Sequence, residues 1–277
     1  MEKYSVLMSV YYKERPEWLD EAVKSMLTQT LPPDEFVIIK DGKLTAELDG
    51  VIDKYVNEYP DSFNVVELEK NCGLGLALNK GVMACGNDII ARMDSDDIAL
   101  PERCEREMKC LADDPSLQIV GSSVMEFCGD IDNTISFRKL PETNEEINAF
   151  AHKRCPFAHP SVMYRKQAVL DAGNYRHYPF FEDYDLWIRM LQKGSKCLNL
   201  GDCLVYMRVN DDFYKRRGGI KYLKTVLKFK KEQYKSGFYS FKDYVISAGS
   251  HTAVCLMPNF LRDFVYRKML RKKANRG

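Results

Sequence analysis

At 277 residues, with 45% apolar and 29% charged side chains, the chain has the makings of a soluble globular protein with a full-sized core, built as one large domain or two small ones. Its formal charge of +1 hides a division: residues 1–212 hold 24 Lys+Arg against 37 Asp+Glu, and residues 213–277 hold 17 against 3. No apolar run approaches the roughly 18 to 20 residues that span a bilayer, and nine scattered cysteines without a C-x-x-C pair argue against zinc or a disulfide framework.

The start of the chain opens into a strand pattern with no signal-peptide pattern, and reduced thiols point to a cytosolic compartment. The charge division suggests an acidic body that needs cations and a basic tail that wants an anionic surface.

In chain order, Tyr4–Val10 reads as a β-rich strand, and 16–29 as a helix begun by Pro16 with Leu19, Ala22, Val23, Met26 and Leu27 on one face. Glu35–Lys40 is a second strand ending in Asp41-Gly42. A helix over 45–58 and a strand over 63–68 follow. Then come Asn71-Cys72-Gly73-Leu74-Gly75, a helix through 84 and a strand over 88–93. Such alternation predicts an α/β fold with a mostly parallel sheet covered on both faces. Asp41, Asn71 and Asp94 to Asp97 then share one sheet edge, where ligands bind.

After residue 101 the pattern changes. A charged helix over 101–112, an apolar strand over 117–127 and a looser pairing segment over 131–140 precede a short helix over 142–150. The Pro-punctuated stretch 155–163 reads as a substrate-facing loop. Neither an internal repeat nor a low-complexity segment is present.

Asp94-Ser95-Asp96-Asp97 puts three carboxylates directly after the apolar run Ile89–Met93. Crowded like charges need a cation or a set of donors. A divalent metal carrying a phosphate uses such oxygens well, while a solvated acidic turn uses the same residue types. Glu182-Asp183-Tyr184-Asp185 opens a helix whose apolar face is Leu186, Trp187, Met190 and Leu191. Simple capping explains these acids, and so does a carboxylate general base fixed by the helix end.

These motifs, with Ser5–Tyr11, Trp18–Thr30, Asn71–Asn79 and His159-Pro160-Ser161, resemble glycosyltransferase family 2 over roughly residues 4–210. The stretch Met207–Gly219 is similar to enzymes of bacterial exopolysaccharide and O-antigen synthesis, including the amylovoran type. The resemblance implies a GT-A fold: a Rossmann-like, mostly parallel sheet flanked by helices. It places Asp94 near a ribose, Asp96 on Mn²⁺ or Mg²⁺, and Asp97 in support of the metal site or the donor sugar. Asp41 would meet the nucleobase, with Asn71 beside it, and Tyr11 or Tyr12 would stack on the base or simply pack at the strand end. His159 would touch donor or acceptor, or be structural.

Asp183 matches the family's general base, with Glu182 as its neighbour or as an acceptor contact. Where many relatives have Asp-Asp-Gly-Ser, this chain has Lys40-Asp41-Gly42-Lys43. Where many carry a metal-binding His, it has Asn210-Asp211, so Asn210 or Asp211 would complete the metal shell, or water would.

The tail is read separately. Lys215, Arg216, Arg217, Lys221, Lys224, Lys228, Lys230 and Lys231 run with Tyr222, Leu223, Val226, Leu227 and Phe229. A second unit follows Pro258, with Phe260, Leu261, Phe264, Val265, Met269 and Leu270 among Arg262, Arg267, Lys268, Arg271, Lys272 and Lys273. Helical period with cations opposite reads as an interfacial helix on an anionic membrane. Nucleic acid is the less favoured partner, and 220–235 packing on the protein's own body is a third reading.

The expectation is therefore a catalytic unit over 1–212 and a basic amphipathic extension over 213–277. The unit would be a metal-dependent inverting enzyme moving a sugar from a nucleotide-sugar, most simply a UDP-sugar, to a lipid-linked glycan acceptor. It would sit peripherally on the inner, cytoplasmic face of the cell membrane. The alternatives are a polyprenyl-phosphate glycosyltransferase and a non-catalytic nucleotide-sugar-binding or scaffold protein. No motif addresses the oligomeric state.

Overall fold

The computed structural model describes residues 2–209, 219–257 and 272–273. The first four strands are β1 (Tyr4–Val10), β2 (Glu35–Lys40), β3 (Phe63–Glu67) and β4 (Ile89–Met93). They lie in the order β3-β2-β1-β4, all parallel. The helices between them, α1 (Pro16–Leu27), α2 (Ala46–Glu58) and α3 (Leu74–Ala84), cover opposite faces. The chain winds outward from β1 to β3 and then returns to the other side of β1. This leaves a crevice at the carboxyl ends of β1 and β4, where such a reversal in strand order binds ligands.

Side-chain alternation sets the two cores. Tyr4, Val6, Met8 and Val10 of β1 pack under α1, α2 and α4 (Arg103–Asp113), whereas Leu7 packs with α3 on the other face. The second face is closed by α5 (Asn144–Ala151), α6 (Lys166–Asp171) and α7 (Glu182–Gln192). Leu186, Trp187, Met190 and Leu191 of α7 face the sheet, the stripe expected from the helical period.

Beyond β4 the sheet is mixed. After the short β5 (Ile98–Ala99), β6 (Leu117–Phe127) pairs antiparallel with β7 (Thr134–Arg138) and β8 (Met163–Arg165). It pairs parallel with β9 (Lys196–Arg208), the longest strand, which brings Arg208 back to the carboxyl end of β4.

The C-terminal helices α8 (Gly219–Lys235) and α9 (Phe241–Leu256) close on α7 rather than standing apart. Tyr222, Val226 and Phe229 bury against Phe181, Tyr184 and Ile188, as in the reading that packs 220–235 on the protein's own body and not as a membrane-facing stripe, because α7 offers a second apolar face. Phe229 stacks on Phe181 at 4.4 Å.

Lys230, expected with the exposed cations, is fully buried and donates to the Tyr239 hydroxyl at 3.0 Å. It lies over the rings of Tyr184 and Tyr239, and burial lowers its pKa to about 8. Lys272 and Lys273, expected on a helix, form a two-residue strand, β10, antiparallel to β7. The remainder of the unit expected after Pro258, residues 258–271, and the cluster Lys215 to Arg217 lie outside the described residues. No helix among the described residues is long and apolar enough to cross a membrane.

Candidate active site

The acids at 94–97 follow β4 into a tight turn at the crevice. Carboxylate oxygens of Asp94, Asp96 and Asp97 all lie within 4.8 Å of one another. Asp97 is buried; its Oδ1 accepts from the Arg208 backbone N–H at 2.7 Å, and its Oδ2 has no partner. Burial and the neighbouring Asp94 charge push the Asp96 carboxyl up to about 8, and burial and Asp96 raise that of Asp97 well above the ordinary value. A solvated turn would show neither feature. Three convergent hard oxygens, one of them orphaned, fit a divalent cation such as Mn²⁺ or Mg²⁺.

Two arginines that the sequence reading gave no role hold this loop. Arg92, the penultimate residue of β4, is 1% exposed and pairs through Nη2 with Asp94, while its Nε and Nη1 have no hydrogen-bond partner. Its charge favours the ionised forms of both Glu182 and Asp183. Arg208 spans from β9 to α1. It donates Nε to the Asp96 carbonyl at 2.9 Å, Nη1 to the Gly129 carbonyl at 2.8 Å and Nη2 to Glu21 at 2.6 Å. Its guanidinium also lies over Trp18 and Phe127. The available signal for Arg92 was an arginine inside an otherwise apolar strand, a placement a chain tolerates only with a partner.

Asp41 ends β2, and its carboxylate organises the next loop. Oδ1 accepts from Cys72 N–H at 2.7 Å, while Oδ2 accepts from Gly73 N–H and Asn71 Nδ2, each at 3.0 Å. Gly42 has φ +84°, and a Cβ there would sit 2.5 Å from Asn71 N, so only glycine permits this approach. Tyr11, at the end of β1, is 37% exposed and meets Tyr12 edge-on at 5.9 Å. Asn71 is exposed on the loop that Asp41 holds.

Glu182 and Asp183 occupy the first turn of α7, but the N-cap is Phe181, with no side-chain cap bond. Neither acid is the N-cap itself, but Asp183 satisfies a free first-turn N–H, a helix-end role compatible with that of a general base. Asp183 Oδ1 accepts from Tyr184 N–H at 2.7 Å, and Cys155 Sγ lies 3.6 Å from Oδ2. Burial raises the Asp183 pKa, and burial with the Asp183 charge pushes Glu182 up to about 7. Asp94 also raises Glu182, so the two acidic groups share one electrostatic site.

Gly75 lets α3 approach the start of α7: a Cβ there would meet the Arg176 carbonyl oxygen at 2.1 Å and Glu182 Cβ at 3.1 Å. His159, in a 3₁₀ turn (His159–Ser161), shares a 3.0 Å hydrogen bond between Nε2 and the Tyr175 hydroxyl. Burial and Arg92 keep it neutral. Asn210 and Asp211 lie outside the described residues.

Tyr11, Asp41 and Asp94 to Asp97 follow β1, β2 and β4 at the carboxyl edge of the sheet, with Asn71 on Asp41; Glu182 and Asp183 open α7 within electrostatic reach of Asp94, and His159 bonds Tyr175. Comparison with known proteins identifies the family and the fold. Residues 5–173 match the model described as "Glycosyl transferase family 2". The amylovoran biosynthesis glycosyltransferase AmsE of Erwinia amylovora is 37% identical, over 96% of this chain and 98% of its own length.

An Escherichia coli UDP-Gal:alpha-D-GlcNAc-diphosphoundecaprenol beta-1,3-galactosyltransferase is also 37% identical, over 98% of this chain and 97% of its own. Among solved structures, the mannosyltransferase PcManGT of Pyrobaculum calidifontis, in complex with GDP-Man and Mn²⁺, superposes with a TM-score of 0.66. It shares 15% identity, covering 94% of this chain and 72% of that one, and supports the GT-A fold.

Proposed function

Because the chain belongs to glycosyl transferase family 2, we propose that it transfers a sugar, with inversion, from a UDP-sugar to a lipid-linked glycan in surface-polysaccharide synthesis. The observation that carries this is the pairing of two acidic groups, 94–97 after β4 and 182–183 on α7, across the crevice where the strand order reverses. The E. coli relative supports the donor and acceptor classes, since its name records UDP-galactose and a diphosphoundecaprenol-linked sugar.

Asp183 acts as the general base. It takes the proton of an acceptor hydroxyl while that oxygen forms its bond to the anomeric carbon. On the opposite face the carbon–oxygen bond to the diphosphate breaks, and the nucleoside diphosphate leaves with the electron pair. One displacement inverts the configuration and needs no enzyme nucleophile.

Asp94 holds the ribose end of the donor and is itself fixed by Arg92. Asp41 and Tyr11, with Asn71, form the base and loop wall, and His159, neutral and anchored on Tyr175, orders the floor. Asp96 and Asp97 would hold the divalent cation, with Asn210 as a third ligand. When bound, that ion supplies Lewis-acid stabilisation of the departing diphosphate. The enzyme works at the inner face of the cell membrane, where such acceptors are presented.

Transfer from a panel of UDP-sugars to a lipid-diphosphate sugar acceptor in Mn²⁺ tests the reading. Wild-type protein turns over, whereas Asp96→Ala does not; full activity of Asp96→Ala refutes the metal assignment.

A further inference from the structure

The pair of helices at the C-terminus has two outward stripes that nothing in the described structure covers. On α8, Lys221, Lys224, Lys228, Lys231 and Lys235 recur at spacings of three and four and are all exposed. They lie opposite Tyr222, Val226 and Phe229, which face α7. On α9, Phe241, Val245, Ile246 and Leu256 are 67%, 50%, 59% and 62% exposed, with Gly249 and Ala253 between them also exposed.

The two helices pack side by side. Tyr234 of α8 stacks on Tyr244 at 5.4 Å and meets Phe241 edge-on at 6.1 Å. Both helices turn their buried positions inward, so a cationic stripe and an apolar stripe face solvent together. Acid is scarce here: α8 and α9 contain only Glu232, which accepts from the Tyr178 hydroxyl and pairs at 3.9 Å with the exposed Lys228, and Asp243, which caps α9.

We propose that the outward face of α8 and α9 is a docking surface for an anionic lipid bilayer. Its lysines would lie at the headgroup phosphates, and Phe241, Val245, Ile246 and Leu256 would enter the acyl boundary. Charge decides the occupant. An apolar helix alone fits any apolar partner, but an apolar stripe beside five aligned lysines matches a surface that is anionic outside and hydrocarbon within. Nucleic acid would use the lysines and leave the apolar stripe in water.

The proposal deepens the lipid-linked-acceptor reading and rests on it. It also moves the insertion face from α8, whose apolar side belongs to the core, to α9. Since α8 packs on α7 beside Asp183, docking here would bring the general base to the membrane that carries the acceptor.

The test is cosedimentation of the full chain with phosphatidylcholine vesicles, with and without phosphatidylglycerol, in the absence of acceptor. Wild-type protein is expected to bind only the anionic vesicles. Lys224→Ala with Lys231→Ala lowers the partition coefficient by roughly 25-fold. Val245→Ser with Ile246→Ser lowers it by about tenfold. Both variants keep the wild-type melting temperature and transfer to a water-soluble acceptor, so lost docking is told apart from lost catalysis. If the glycosyltransferase reading alone fails, vesicle binding persists without turnover.

Three results overturn the proposal: undiminished vesicle binding by both double variants, binding to duplex DNA or RNA but to no vesicle, and a dimer in solution that Val245→Ser with Ile246→Ser dissociates. The last would assign the face to a second copy of the chain.

Discussion

The acidic edge of the sheet and the basic helical pair at the C-terminus treat like charges in opposite ways. At the edge, Asp96 and Asp97 crowd together, their carboxyls held towards the protonated form by burial first, then by Asp94 for Asp96 and by Asp96 for Asp97, and Asp97 Oδ2 has no partner. On α8, five lysines stand in solvent, and the single buried one, Lys230, sits among aromatic rings with a hydrogen bond. The first arrangement is electrostatically unfinished; the second is solvated and complete until a surface approaches. Incomplete charge inside a crevice marks a ligand site, and aligned charge outside marks an interface.

The sharpest way to break this contrast is at the general base. Asp183→Asn should lower kcat by about 10²–10⁴-fold while leaving the melting temperature unchanged or raised. Burial already disfavours this carboxylate, so its charge supplies chemistry rather than stability. Steady-state kinetics and thermal unfolding read both halves of the statement, and a stability loss with retained turnover would reverse it.

Arg208→Leu comes next. It removes the clamp between β9, the acidic turn and α1, leaving the Asp96 carbonyl without its donor and Glu21 without its cation, while the backbone N–H of residue 208 still bonds Asp97. Unfolding in urea should show a loss of about 3 kcal/mol, with weaker Mn²⁺ binding by calorimetry.

The smallest effect is in pH. Asp96 keeps its proton up to about pH 8 in the fold, against about 4 in an unfolded chain. The native state therefore binds the extra proton between those values, and metal-free stability falls as pH rises through that window. Mn²⁺ competes with the same proton, so its affinity should rise by up to about tenfold per unit from pH 6 to 8. Calorimetry in two buffers of different ionisation enthalpy should show proton release on binding. A pH-independent affinity would place the ion elsewhere.

Much of the edge was legible because local chemistry writes it. Strands β1, β2 and β4 are mostly apolar runs, and the residues that follow them, Tyr11, Asp41 and Asp94 to Asp97, are polar stops. What escaped depends on partners distant in the chain. β9 is broken by Gly201-Asp202 and pairs with β6 through register shifts, so no clean period shows. Arg208 matters only because β9 returns it to the acidic turn.

Arg92 is one charge in an apolar strand, and its meaning lies in the carboxylates around it. Gly75 reads as a helix residue until its distance to Glu182 is known. The apolar face of α8 gave the right period and left lipid and the protein's own body both open, since periodicity identifies a face and cannot say whether lipid or α7 covers it.

The account rests on one displacement at one metal-supported edge. Proton NMR of the transferred sugar, following its anomeric configuration in Mn²⁺, after EDTA and after Mn²⁺ is restored, tests that claim most directly. The account predicts a product anomer opposite to that of the donor, formed only while the ion is present. Retained configuration, or undiminished transfer in EDTA, would contradict it.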